Sequence, residues 1–113
     1  MLKNMKTVLF VSVLAATSLL ASNSTDYTKG KQVFDKWCVH CHGIGMPATN
    51  ALRIVYKETN ISPVLEQRKD LDAEFVKFIV RHGRYSMPFF RKTEINDEQL
   101  KNLALYLSTK NKK

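Results

Sequence analysis

This sequence reads as an all-α protein. Apolar residues recur at helical spacing, two segments open on helix-cap signatures, and no segment alternates as a strand does. With 113 residues the chain has room for one domain. A domain of this size buries a modest share of its surface, so a large apolar cofactor would supply interior that the chain lacks.

Residues 1–21 read as a secretion signal peptide. Lys3 and Lys6 give a basic start, and Val8 to Leu20 is apolar apart from Ser12, Thr17 and Ser18. The small residues Ala21 and Ser22 then offer cleavage positions. The competing reading is a retained anchor, but the apolar run is shorter than the roughly 20 residues a spanning helix needs. No cysteine follows Ala21 or Ser22 to carry a lipid. The expected product is residues 22–113, a soluble domain secreted to the periplasm.

The first helix of that domain is expected from about Asp26 to Cys38, capped by Ser24 or Thr25, with Val33, Phe34 and Trp37 on its apolar face. Gly30 inside it costs about 1 kcal/mol relative to alanine, which points to a second backbone passing closely there. Gly43, Gly45, Pro47 and Asn50 make residues 42–50 loop-like. A short helix is expected at Ala51 to Tyr56, and Lys57 to Arg68, broken by Pro63, is ambiguous. A clearer helix begins at Asp72 as N-cap, with Leu71 and Val76 as a hydrophobic staple. Phe75, Val76, Phe78, Ile79 and Val80 form its apolar face. Arg81 and His82 suit the dipole of the last turn, and Gly83 fits the position beyond it. A loop from Arg84 to Glu94 carries Met87-Pro88. The last helix has a full capping box, Asn96 with Gln99, and a staple, Ile95 with Leu100. Leu100, Leu103, Ala104 and Leu107 line one face beside Tyr106, and a lysine-rich tail frays.

The chemistry is concentrated in Cys38-Val39-His40-Cys41-His42. A C-x-x-C-H run attaches c-type haem. Two sulfurs three residues apart on a helical turn reach the two vinyl-derived carbons of one macrocycle. The adjacent histidine then falls under the iron as its proximal ligand. A disulfide between these cysteines would close too short a loop to stabilise anything much. A thioredoxin-like C-x-x-C site needs a βαβ context that is absent. A zinc site would draw on Cys38, Cys41, His42 and either His40 or His82. His42 needs its other ring nitrogen hydrogen-bonded, and the carbonyl of Pro47 is the expected acceptor. His40 is expected to face solvent.

Met87 is the expected second axial ligand, in a loop stiffened by Pro88. A thioether paired with histidine raises the reduction potential. Met46 is too near His42 in sequence to reach the opposite haem face. His82 would make a bis-histidine site but reads more simply as a dipole partner.

Together these residues make the chain resemble the class I monohaem cytochromes c. Gly30 and Phe34, Cys38 to His42, Met87-Pro88, and Leu103 with Tyr106 match that family's pattern over essentially all of 22–113. The resemblance implies the class I fold, helices wrapped around one covalent haem c, with the first and last helices crossing where Gly30 and Phe34 meet Leu103 and Tyr106. A narrower likeness lies in Pro47-Ala48-Thr49, Leu65-Glu66-Gln67-Arg68, Asp70-Leu71, Val80-Arg81 and Met87 to Ile95. These resemble the cytochrome subunits of flavocytochromes such as 4-cresol dehydrogenase (p-cresol methylhydroxylase) and eugenol hydroxylase. In that group a flavoprotein oxidises a para-alkylphenol and the cytochrome accepts its electrons singly. The lysine content and Asn50, Asn60 and Asn96 depart from the group.

The formal charge is +8, of which Lys3 and Lys6 account for two. Such a balance suits a solvated surface or docking to an acidic partner. No continuous basic stripe suggests nucleic acid. Arg84, Arg91 and Lys92 flank the Met87 loop as surface charge or docking groups. The expected function is single-electron transfer, from a flavoprotein dehydrogenase or another periplasmic redox protein toward the respiratory chain. A free shuttle to a terminal oxidase or peroxidase is the alternative. With His42 and Met87 both bound, no coordination position is left for substrate chemistry. A ligand-binding or peroxidatic haem would require Met87 to be displaced.

Overall fold

The computed structural model describes residues 24–110, so the expected signal peptide and the last three residues lie outside it. Among the described residues five helices follow one another: α1 (24–37), α2 (Val39–His42), α3 (Pro47–Val55), α4 (Ala73–His82) and α5 (Asp97–Thr109). One 3-10 turn, Leu65–Gln67, lies between α3 and α4. Among the described residues there is no strand, only an isolated bridge between Arg84 and Met87.

The close approach anticipated at Gly30 is where α1 crosses α5. A β-carbon there would lie 2.0 Å from the Asn102 carbonyl oxygen and 2.8 Å from Tyr106 Cβ. Only a residue without a side chain lets the two backbones meet. Around the crossing, Tyr27 packs edge-on against Tyr106 with ring centroids 5.0 Å apart, and Phe34 lies 6.0 Å from the same ring. Phe34, Leu103 and Tyr106 are buried there. Ser24 and Thr25 are already helical, so neither is the expected cap.

α4 is built as expected at its ends. The Asp72 carboxylate accepts from the amides of Glu74 and Phe75, and Gly83 takes φ 68° just past the last turn. Its five apolar residues do not form one face, however. Val76 and Val80 are buried against α5, whereas Phe75 and Phe78 are about half exposed. At 100° per residue a run this dense wraps around the helix, and only the i, i+4 pair faces the core.

α5 opens with the expected capping box. Gln99 N–H donates to Asn96 Oδ1 at 2.8 Å, and Asn96 N–H donates to Gln99 Oε1 at 2.9 Å. Ile95, Leu100, Leu103, Ala104, Tyr106 and Leu107 join Val33, Phe34, Leu71, Val76 and Val80 in one core. Arg81 does more than complement a dipole. Its Nη1 donates to the carbonyls of Phe90 and Ile95 at 3.1 and 2.8 Å, and its Nη2 to Asp97 at 2.9 Å. It thereby ties the end of α4 to the start of α5.

The other half is packed more lightly. α3 begins at Pro47 and not at Ala51, because proline is favoured at the first helical position, where its missing N–H is no loss. α3 rests on α2, and Thr49 is its one buried residue. Residues 57–68 are irregular apart from the 3-10 turn, which is held to α5: the Tyr106 hydroxyl donates to Glu66 Oε1, and Lys110 Nζ reaches both.

Candidate haem site

Cys38 to His42 form a tight turn continuing from α1. Cys38 N–H donates to Phe34 O and His42 N–H donates to Cys38 O, both at 2.8 Å. One helical turn therefore carries both sulfurs and the histidine, as the motif requires. Both thiols are free; Cys41 is exposed and Cys38 partly covered. Burial, with Cys41 beside it, pushes the Cys38 thiol up to about 12. A thiol held protonated is a poor nucleophile, so Cys38 itself is not set up to attack a disulfide. Burial also lowers the His42 pKa, so its imidazole is neutral, the form that binds a metal.

His42 Nδ1 is buried and has no hydrogen-bond partner, so the bond to the Pro47 carbonyl is not formed. Pro47 is committed instead as the first residue of α3. His40 is exposed, as expected. Met46 packs by its Cγ toward Gly43, next in the chain to His42.

Met87 is half-buried, and its backbone is tied back to Arg84. Arg84 and Met87 exchange N–H···O bonds at 3.1 and 2.9 Å, closing a two-residue turn. The strand of chain from Met87 to Phe89 then passes directly over Gly83. A β-carbon on Gly83 would lie 2.6 Å from Met87 O and 2.9 Å from Phe89 N. Trp37, beside Cys38, packs edge-on against Phe90 at 5.9 Å, which links the cysteine turn to the methionine loop. His82 is turned to its own helix: Nδ1 donates to Phe78 O at 2.8 Å and the ring stacks on Phe78 at 4.2 Å.

The donor set fits a haem better than a bare ion. Among the described residues no three of His, Cys, Asp and Glu converge, so the zinc set does not assemble. A neutral histidine, a thioether and two unpaired thiols are soft or borderline donors suited to haem iron and its covalent attachment. The exposed rings of Phe75 and Phe78 suit cover by a flat apolar group better than contact with water.

Sequence reasoning had not singled out Tyr85 and had given no role of their own to Phe89, exposed like it near Met87, or to Thr49, whose buried hydroxyl lacks a partner. The exposed aromatics carry no periodicity that would mark them.

The helical fold, the cysteine–histidine turn and the methionine loop define a class of protein, the c-type cytochromes. A family profile described as cytochrome c oxidase, cbb3-type, subunit III, matches residues 25–107, and the chain belongs to this family of cytochrome c domains. It is 35% identical over 89 residues to the 4-cresol dehydrogenase [hydroxylating] cytochrome c subunit of Pseudomonas putida, covering 79% of this chain and 66% of that protein. The match thus spans just under two thirds of that relative's length. The chain is also 32% identical over 88 residues to cytochrome c6 of Gloeothece citriformis, covering 78% of this chain and 74% of the other. No solved structure matches. The family is one of electron-carrying cytochromes, and its cofactor is a covalently bound haem c.

Proposed function

We propose that Cys38 and Cys41 hold the haem through thioether bonds, that His42 and Met87 are its axial ligands, and that the chain carries single electrons from a flavoprotein dehydrogenase to the respiratory chain. The observation that supports the ligand assignment is the Gly83 crossing, where the backbone of Met87 to Phe89 passes too close to Gly83 to admit a side chain there. Bound haem supplies a reversible one-electron couple. The chain's own residues hold it, keep the His42 imidazole neutral and deny a coordination position to substrate.

Likeness to a 4-cresol dehydrogenase cytochrome subunit supports a 4-alkylphenol-oxidising flavoprotein as electron donor. The basic leader and apolar run of residues 1–21 support export to the periplasm. No helix among the described residues is long and apolar enough to cross a membrane.

The haem assignment is tested on the purified protein. A c-type spectrum that survives acid–acetone extraction, with the near-infrared methionine–iron band of the oxidised form, is expected. Met87→Ala should abolish that band, leave the covalent haem in place and open the iron to imidazole; a band that persists refutes the ligand. Gel filtration of a periplasmic fraction, followed at the haem absorbance, tests the partner. Co-elution with flavin is expected, and a monomeric haem peak would instead identify a free shuttle.

A further inference from the structure

Asn60 has neither of the usual reasons for an asparagine in a turn. Such a residue ordinarily takes a left-handed conformation or hydrogen-bonds the backbone beside it. Among the described residues Tyr85 alone, apart from glycines, has positive φ, so Asn60 is not left-handed. It is exposed, and its carboxamide makes no hydrogen bond among the described residues. Its neighbours hold the loop instead. The Thr59 N–H and hydroxyl both donate to Tyr56 O, at 3.0 and 2.9 Å, and Ile61 N–H donates to Thr59 Oγ1 at 3.2 Å. Val64 N–H donates to Ser62 Oγ at 3.2 Å. The loop thus presents Asn60 at the surface with its amide free.

The residues that follow supply a reason. Asn60-Ile61-Ser62 is an N-x-S/T run whose middle residue is not proline. On a surface loop of an exported protein, such a run marks an asparagine that accepts an oligosaccharide. Residues 59–64 form neither helix nor strand, which leaves the run free to be seated by a transferring enzyme. Glu58, exposed two positions before the asparagine, adds the acidic residue that bacterial enzymes of this class read together with the acceptor. A second stretch, Asn23-Ser24-Thr25, has the same three-residue run. There Ala21 stands at the acidic position, and Ser24 and Thr25 belong to α1, with the Ser24 carbonyl accepting from the Thr28 hydroxyl. The loop run has the setting the signal needs and the helical one does not.

Resting on the export reading, we propose that Asn60 is the acceptor of an N-linked oligosaccharide, transferred outside the cytoplasm from a lipid-pyrophosphate donor. Asn60 Nδ2 forms a bond to the anomeric carbon of the first sugar. The bond from that carbon to the pyrophosphate oxygen breaks, the lipid pyrophosphate leaves, and the amide nitrogen gives up one proton. Nothing is oxidised or reduced. The attached group is bulky and solubilising. It would lie over a stretch without regular structure, the kind of exposed segment at which proteases cut.

The test uses the full chain expressed in its native host, with the haem-loaded protein purified and weighed intact by mass spectrometry. The mass should exceed that of processed polypeptide plus haem by whole sugar residues. The excess should map to the tryptic peptide Glu58–Arg68. Asn60→Gln and Ser62→Ala should each lose the excess completely, with the haem spectrum unchanged, and Ser62→Thr should keep it. Asn23→Gln should keep it too. An excess that survives Asn60→Gln, as sugar on the hydroxyls of Thr59 or Ser62 would, overturns the site, and so does loss in Ser62→Thr. Protein recovered from the cytoplasm with residues 1–21 still attached takes the export reading and the acceptor site down together. Processed periplasmic protein whose mass equals polypeptide plus haem removes the acceptor site alone.

Discussion

A single missing methyl group decides whether the first and last helices can meet. At Gly30 a β-carbon would lie 2.0 Å from a backbone oxygen, and that oxygen cannot move without shifting α5. Gly30→Ala should therefore destabilise the haem-loaded protein by about 3 kcal/mol, against the stabilisation that alanine brings to an ordinary helix position. Urea unfolding followed at the haem absorbance measures it; a neutral or stabilising outcome would mean that the crossing is looser than described. The neighbouring Tyr106 hydroxyl is a milder case. Tyr106→Phe keeps the ring among Tyr27 and Phe34 but removes the hydroxyl from Glu66 and Lys110. Its expected cost is about 1–2 kcal/mol by the same measurement. Gly30 was legible in the sequence because glycine inside a helix needs a reason. The Glu66–Tyr106 bond was not, since forty positions separate its partners and neither shows any local signal.

The elements divide by how strongly local chemistry announces them. α4 and α5 begin where Asp72 and Asn96 cap them, because those side chains satisfy amides only a few positions away. Pro47 misled for the opposite reason: the same ring that breaks a helix interior also starts a helix, and sequence context alone did not distinguish the two. The face of α4 was misjudged because five apolar residues in a run of six leave the orientation open until α5 is in place. At the candidate site, the cysteine–histidine turn was fully legible, its residues being contiguous. The support under Met87 was not, because it depends on backbone passing over Gly83. Gly83→Ala should disturb that support twice, through φ 68° and through the approach to Met87 O. The expected result is loss of the methionine–iron band at lower pH or temperature than in the unaltered protein, with the haem still attached. Arg81→Met should leave the band intact near neutral pH but lower stability by about 2–3 kcal/mol, since two part-buried carbonyls lose their donor and Asp97 loses its partner.

At the scale of the molecule, two unequal halves carry the motif. α1, α4 and α5 share the core, whereas α3 packs on α2, and Thr49 is the one buried residue of α3. Haem-free protein, made by replacing both cysteines with serine, should show hydrogen exchange that is faster across 39–62 than in α5. Uniform protection would contradict this division. Charge adds a pH dependence whose sign is fixed. Arg68, hydrogen-bonded to Asp70, holds its carboxyl below the ordinary 3.8, and Lys92 and then Arg81 do the same for Asp97. Stability from such groups is complete above the unfolded value and is lost as pH falls from about 3.8 through the folded values. Acid titration of the unfolding midpoint should show this decline, and Asp70→Asn with Asp97→Asn should flatten it. Both carboxylates face solvent, so the effect is modest.

The state of Cys38 bears on the order of assembly. In the folded chain its thiol is sheltered and held protonated, with a pKa near 12, while Cys41 stands in the open. Each sulfur must reach the haem before its own thioether bond can form. Attachment is therefore expected on the newly made, still unfolded polypeptide, with folding closing over the cofactor afterwards. Brief treatment of folded, haem-free protein with iodoacetamide should label Cys41 well before Cys38, and both at similar rates in denaturant. In this view the cofactor is a component around which the chain matures, not a ligand that a finished protein takes up.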